Sequence, residues 1–340
     1  MINHYNRVVA DTNKRVKHAL RIQVLDNGSQ FYGGFRDDNR LVEAKYAIYQ
    51  VVTMIGAYSN TDTDWFMDKS VEESIRKGLS YIESVQHENG LFDYIDCNFN
   101  SAPDTAFMIK GMFPALHYLK NINRSSVQEE FYSNLYKIGR KAALGLQKGG
   151  FHTPNHRWAI ASALYECADF FDEPKLLESC AQYLNEGIDC NEDGEFAEKS
   201  AGTYNGVNDD AMITLGDYTH EEIYYEYAIR NLQMMLTYIE PDGTVFTANS
   251  TRQDNGKRVF PTDYYWMYLR MGKEKNIPEF LSMANYIFEL IEKYQMLSPD
   301  ILLHFMSHPE LVALEYEDST KAKVFHKIYT DSGIARVGCR

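Results

Sequence analysis

The sequence predicts an all-α fold, an (α/α)6-type toroid of helical hairpins with a short β-like C-terminal tail. Helical periodicity runs almost unbroken along the 340 residues, and alternating strand patterns are nearly absent until the last twenty. A loop signature of Asn/Asp/Gly-Gly followed by Phe also recurs every 45–60 residues, about one helical hairpin apart. Units that each supply one helix pair must stack or close into a ring to bury their apolar faces. The competing arrangement is an irregular helical bundle.

Helices are expected over 3–24, 41–58, 69–87, 104–120, 126–147, 156–171, 174–187, 206–216, 219–238, 262–271, 277–295 and 306–316. Residues 41–58 show the basis, with Leu41, Ala44, Ala47, Ile48, Val51, Val52 and Ile55 at helical spacing. Pro154, Pro174 and Pro278 stand where helices should begin. The loop signature reads Asn27-Gly28 with Phe31, Asn89-Gly90 with Phe92, Gly149-Gly150 with Phe151, Asp193-Gly194 with Phe196, and Asp242-Gly243 with Phe246. Glycine permits the left-handed turn that ends a helix, and the Phe can plug the loop onto the core. Loops after every second helix would then gather on one face and line a cleft. The alternation around Asp331-Ser332-Gly333 reads as a β-hairpin. The expected division is therefore a toroid over 1–320 and the start of a β domain over 321–340, a fragment or a natural truncation.

Composition limits the function classes. The chain is 44% hydrophobic and 24% charged, enough for a substantial core. A net charge of −14, from 48 acids against 34 bases, argues against nucleic acid as a partner. Any anionic substrate must meet a local basic site. The first ten residues lack a signal-peptide pattern, and no apolar run approaches a membrane span, so the expectation is a cytoplasmic chain without a membrane partner. Cys97, Cys167, Cys180, Cys190 and Cys339 are odd in number and irregularly spaced, which suits unpaired thiols. The 25 Tyr, 18 Phe and 3 Trp serve packing, and aromatic faces also stack on pyranose rings. No phosphate loop, dinucleotide fingerprint or zinc-helix motif is present, and no cofactor or metal is expected.

Four polar loops carry the candidate chemistry. Thr153-Pro-Asn155-His156-Arg157-Trp158 follows a Gly-Gly turn and enters a helix. Unpaired N–H groups and the helix dipole there, with an amide, an imidazole and a guanidinium, suit a carboxylate. Asn155 can equally be the N-cap, and His156 can merely pack. A Gly-rich loop from Asp193 delivers Tyr204 and Asn205 to the next helix, where the phenol can act as acid and base or simply pack. Asn98 and Asn100 can bind sugar hydroxyls, and Arg252 offers a second cation at the corresponding place in the repeat. Abundant loop acids keep a glycosidase reading open, with Asp96 and Asp209 as its first pair.

Taken together, Pro154-Asn-His-Arg-Trp158, Asn98-Phe-Asn-Ser-Ala-Pro-Asp-Thr105, Asp193-Gly-Glu-Phe through Ser200 and Gly202-Thr-Tyr-Asn205, and Tyr329-Thr-Asp-Ser-Gly333 resemble the heparinase II/III-like polysaccharide lyases. That superfamily also contains alginate and oligoalginate lyases. The resemblance covers most of the chain in the family's order, and implies an α/α toroid followed by an antiparallel β-sandwich. It implies β-elimination on a uronic-acid-containing oligosaccharide or polysaccharide. By match, Asn155 and His156 neutralise the C5 carboxylate and Tyr204 is the acid, often also the base. Asn98, Asn100, Arg157, Asn205 and Arg252 are expected on the substrate. The family commonly draws further site residues from the β domain, before which this chain stops; a non-catalytic carbohydrate-binding remnant is therefore another expectation.

Overall fold

The computed structural model describes residues 4–294, 297–312 and 324–339. Among these are twelve helices: α1(His4–Ile22), α2(Ala44–Ser59), α3(Lys69–Ser84), α4(Ala102–Asn121), α5(Ser126–Leu146), α6(Pro154–Phe170), α7(Leu176–Leu184), α8(Tyr204–Thr219), α9(Glu222–Tyr238), α10(Tyr265–Glu274), α11(Pro278–Tyr294) and α12(Ile301–Ser307). Two antiparallel hairpins join β1(Phe92–Tyr94) to β2(Asn98–Ser101) and β3(Val324–Tyr329) to β4(Ile334–Cys339). The protein is an all-α toroid with a short β tail.

Odd-numbered and even-numbered helices differ in burial, and this difference builds the ring. α2 is buried almost all round, from Ala44 through Tyr58, as an inner helix must be. α3 buries one stripe, including Val71, Ile75, Leu79 and Ile82, and turns charge outward. Inner helices pack in sequence, α2 on α4, α4 on α6 and α6 on α8, while α12 touches both α4 and α2. Local caps fix several starts. Asp68 accepts from the Ser70 and Val71 amides, and Ser125 and Gln128 form a reciprocal capping box.

The first helix is tied to the last hairpin through His4. It is 3% exposed, stacks on Phe288 with ring centroids 3.8 Å apart, and bonds Tyr265 Oη (2.9 Å) and Asn285 Oδ1 (3.2 Å). Burial pushes its pKa down to about 4, against a smaller upward effect of the Asn285 bond. A depressed histidine favours the folded state while neutral. Its contribution is therefore full above the ordinary value near 6.5 and is lost as pH falls toward 4. Urea unfolding from neutral pH to below 4.5 should show about 3 kcal/mol of stability lost through this group. His4→Gln should flatten that part of the profile.

The recurring loop glycines press against outer helices. Gly90 and Gly194 have φ of +92° and +88°, and an added Cβ would sit 2.1 and 2.4 Å from the carbonyl oxygens of Lys141 and Arg230. In the first repeat this place belongs to Gly33 (φ +89°), followed by fully buried Phe35, and not to Gly28 with half-exposed Phe31. Gly149 and Gly150 do not take positive φ.

Three further sequence expectations are corrected. The last helix runs over 301–307, not from 306; Pro309 opens a separate 3₁₀ turn, and residues 313–316 of the expected helix lie outside the described residues. The β1–β2 hairpin was not foreseen. Pro174 stands in a turn before α7, which begins at Leu176. The expected boundary at 320 and 321 also lies outside the described residues. The β3–β4 hairpin is seated on α9: Tyr329 is fully buried and its hydroxyl meets Thr237 Oγ1 at 2.6 Å, while Arg336 pairs with Glu240 at 3.0 Å.

Candidate active site

The starts of the inner helices meet around one mouth. Tyr49, one turn into α2, has its phenol pushed upward first by burial and then by the charges of Asp300, Asp263, Glu43 and Asp104. Those acids stand at or just before the starts of α12, α10, α2 and α4. The Asp263 carboxyl is itself raised, by desolvation among the surrounding helix starts and by Asp300. Basic groups gather at the same helix starts. The His156 imidazole is lowered first by burial; Asp104 opposes the shift, and His152, Arg252 and Lys45 reinforce it. Acidic and basic groups therefore meet at this end of the ring, Asp104 acting on both Tyr49 and His156. An anion entering the mouth is directed to the basic groups.

The surroundings of His156 and Arg252 are built by two loops held together through buried acids. Asp254, 2% exposed, accepts from Ser200 Oγ (2.8 Å), the Gly202 amide (2.9 Å) and Ser250 Oγ. Ser200 Oγ in turn accepts from the Tyr204 amide at 3.2 Å, fixing the start of α8. Glu198, 5% exposed, accepts from the Asn155 amide (3.0 Å) and from Asn155 Nδ2 at both oxygens (3.0 and 2.8 Å). Arg252 Nε lies 3.2 Å from Glu198 Oε1, an ion pair in distance without hydrogen-bond alignment. The Arg252 guanidinium carbon is 5.4 Å from the Tyr204 ring centroid. Gln253 Nε2 donates to Tyr204 Oη, so the phenol's own hydrogen is left to be given elsewhere.

His156 is half-buried, edge-on to Phe107 (centroids 6.1 Å apart) and to His152 (6.5 Å). Its Nδ1 is buried without a hydrogen-bond partner among the described residues. His156, Tyr204 and Arg252, from three successive hairpins, thus come together around Glu198 with Asn155 behind them. Sequence reasoning counted Glu198 only among the loop acids of the glycosidase alternative and gave Asp254, Gln253 and Lys45 no role; Lys45 stands over the Tyr94 and Phe107 rings at 5.6 and 5.2 Å. Its place in the first turn of α2, matching that of His156 in α6, was the available signal.

Other predicted residues are placed differently. Asn155 is wholly buried, is not the N-cap, and has its amide hydrogens committed to Glu198 and Thr153; Thr153 occupies the cap and Pro154 the first helical position. Arg157 turns to the loop after α7, paired with Glu186, bonded to the Gly187 carbonyl (3.3 Å) and stacked on Trp158 at 3.9 Å. Asn205 is 1% exposed, and both amide atoms are buried without a described partner, so it offers no surface to a ligand. Asn98 and Asn100 line a groove with Phe99, Pro103, Gly149 and His152, and Phe99 is 75% exposed at its rim. Asp96 is exposed beside Tyr94, whereas Asp209 is fully buried with its carboxyl pushed upward by burial and by Asp210; the two do not flank one accessible bond. Among the described residues no group of three or more His, Cys, Asp or Glu could hold a metal. No helix there is long and apolar enough to cross a membrane.

No family model matches the chain, and no curated protein matches it. Solved structures do. A sugar epimerase from a ruminal bacterium aligns with a TM-score of 0.53 at 13% identity, over 84% of this chain and 87% of that one. The chondroitin AC lyase of Streptomyces coelicolor A3, a tyrosine-to-alanine mutant, aligns with a TM-score of 0.56 at 13% identity, over 94% of this chain and 47% of that one. The chain thus spans about half the length of the lyase. The likeness is one of fold: this is a toroid of the kind found in polysaccharide lyases and sugar epimerases.

Proposed function

We propose that the chain is the toroid domain of a polysaccharide or oligosaccharide lyase that cleaves a uronic-acid glycan by β-elimination, as the heparinase II/III-like motifs imply. The observation that carries the reading is the meeting of His156, Arg252 and Tyr204 around Glu198, with Arg252 beside the Tyr204 ring and Glu198 bonded to the residue before His156. Arg252 has no described partner at its terminal nitrogens, which can take the substrate carboxylate as a bidentate pair. Pairing removes charge from the carboxylate and stabilises the enolate-like state formed when the C5 proton leaves. The electrons of the C5–H bond become the C4–C5 double bond, and the C4–O4 bond breaks toward oxygen. Neutral His156 takes the C5 proton, and Tyr204 gives its own proton to O4.

The lowered His156 remains neutral near pH 7, so it is free to accept the C5 proton, and the full positive charge falls to Arg252. Asn155 does not meet the carboxylate in this scheme; it supports from behind. The sign follows for pH. Activity requires unprotonated His156, so the acid limb of kcat/KM should lie below the ordinary histidine value of 6.5, and His156→Asn should remove that limb.

The deciding test incubates the 340-residue chain with a panel of uronate oligosaccharides, heparan, hyaluronan and alginate types included, and follows the ultraviolet absorbance of the unsaturated uronate. A rise supports the lyase. Loss of absorbance from pre-formed unsaturated uronides indicates the hydrolase instead. Exchange of a ring C–H for deuterium without cleavage indicates an epimerase, which uses the same proton abstraction. Saccharide binding that survives Tyr204→Phe, with no product, indicates a binding remnant.

A further inference from the structure

We propose that Glu198 is a positioning residue: it fills the anion seat at the start of α6 with the protein's own carboxylate and thereby aims Arg252 at the substrate. What Arg252 then meets rests on the lyase reading; the filled seat does not.

The first turn of α6 presents a free backbone N–H, an amide side chain and the positive end of a helix dipole, the equipment expected to grip a substrate carboxylate. Glu198 already uses it. One oxygen accepts the Asn155 backbone N–H at 3.0 Å, and both accept Asn155 Nδ2. The other side of the same carboxylate faces Arg252 Nε at 3.2 Å. The Glu198 carbonyl also accepts from the Thr251 amide (3.3 Å) and Thr251 Oγ1 (2.9 Å), gripping the residue before Arg252. The side chain is 5% exposed, and the next residue, Lys199, takes a left-handed φ of +50°, a conformation a non-glycine residue adopts only where its surroundings hold it.

Three consequences follow from this geometry. A substrate carboxylate has no access to Asn155 while Glu198 is in place. Arg252 is drawn to Glu198 by the ion pair at Nε, and its terminal nitrogens have no described partner. Removing the carboxylate frees Arg252 and also orphans the Asn155 donors in a buried site.

Glu198→Ala is the test, because it leaves a cavity of carboxylate size lined by donors. Thermal unfolding of wild type and variant is compared with added formate, with formamide, and with chloride at equal ionic strength. Formate should raise the Tm of the variant and not of the wild type, and the two controls should not. In the lyase assay the variant should lose on the order of 100-fold in kcat/KM, and formate should restore about tenfold. A merely structural glutamate would not give anion-specific recovery of turnover. If Glu198→Ala fails to fold, formate-dependent refolding is the readout, and Glu198→Gln, which keeps the shape without the charge, should show raised KM and lowered kcat with near-native circular dichroism. No formate-specific change in stability or refolding overturns the proposal, whether or not the wild type proves to be a lyase. A wild type without lyase activity whose variant still responds to formate removes the lyase reading and leaves the internal anion in place.

Discussion

Tyr204→Phe should leave a folded protein that binds uronate glycans with near-native affinity and turns them over roughly 1,000-fold more slowly. Among the described residues the hydroxyl is bonded only by Gln253 Nε2, at an exposed position. Its loss leaves one solvent-accessible amide without a partner, worth less than about 1 kcal/mol. The ring, with Arg252 over it, is retained. Stability and KM should therefore hardly move, and the loss should fall on kcat, because only the proton delivered to the departing oxygen is missing. Arg252→Ala should behave differently. It removes the charge that binds the carboxylate before reaction and the charge that stabilises the enolate-like state, so KM should rise as kcat falls. Steady-state kinetics on one oligosaccharide, beside circular dichroism of each variant, separates the two patterns. A Tyr204→Phe enzyme within about tenfold of wild type would remove the tyrosine from the chemistry.

The ring was legible in the sequence because it rests on local signals. Helix-period apolar stripes marked every hairpin, and the Gly-Phe signature marked the loops. The misplaced twelfth helix shows the limit. Ile301-Leu302-Leu303 and Phe305 are the apolar turn that packs inward, but the following Pro309-Glu-Leu311 continues the apolar pattern while Pro309 breaks the α-helix. The first loop shows another. Gly28 and Gly33 both precede a Phe, and only the approach of Lys77 in the next hairpin decides which must be glycine.

At the site, His156, Tyr204 and Arg252 were open to selection as candidates because each stands at a loop exit into or beside an inner helix. Glu198 was not. Its meaning comes from Asn155, 43 residues earlier, and from an arginine in a third loop. The burial of Asn155 was hidden for the same reason. An Asn in the first helical turn is ordinarily an exposed cap, and only the fold buries it against a carboxylate. Asn205, read as a ligand contact from its loop, lies in the first turn of α8 and turns inward.

Gly90→Ala should lower the stability of the fold by about 3 kcal/mol or more. At φ +92° any Cβ is strained, and here it would also stand 2.1 Å from the Lys141 carbonyl oxygen. Relief by movement is blocked from both sides. Gln86 Nε2 donates to the Gly90 carbonyl (2.9 Å) and to the Ile138 carbonyl (3.1 Å), clamping the loop to α5, and the fully buried Phe92 anchors the segment that follows. Gly150→Ala is the control: it has ordinary φ and no atom within 4 Å of the added carbon, so its change should stay within about 0.5 kcal/mol. Urea denaturation of the two variants measures the difference. The loop from Gly90 leads directly into β1 and β2, which carry Asn98 and Asn100 to the groove. A variant that remains folded should therefore also bind oligosaccharide more weakly if the groove at Asn98 and Asn100 takes part in binding, which ties the closest approach of a loop glycine to the residues of that groove.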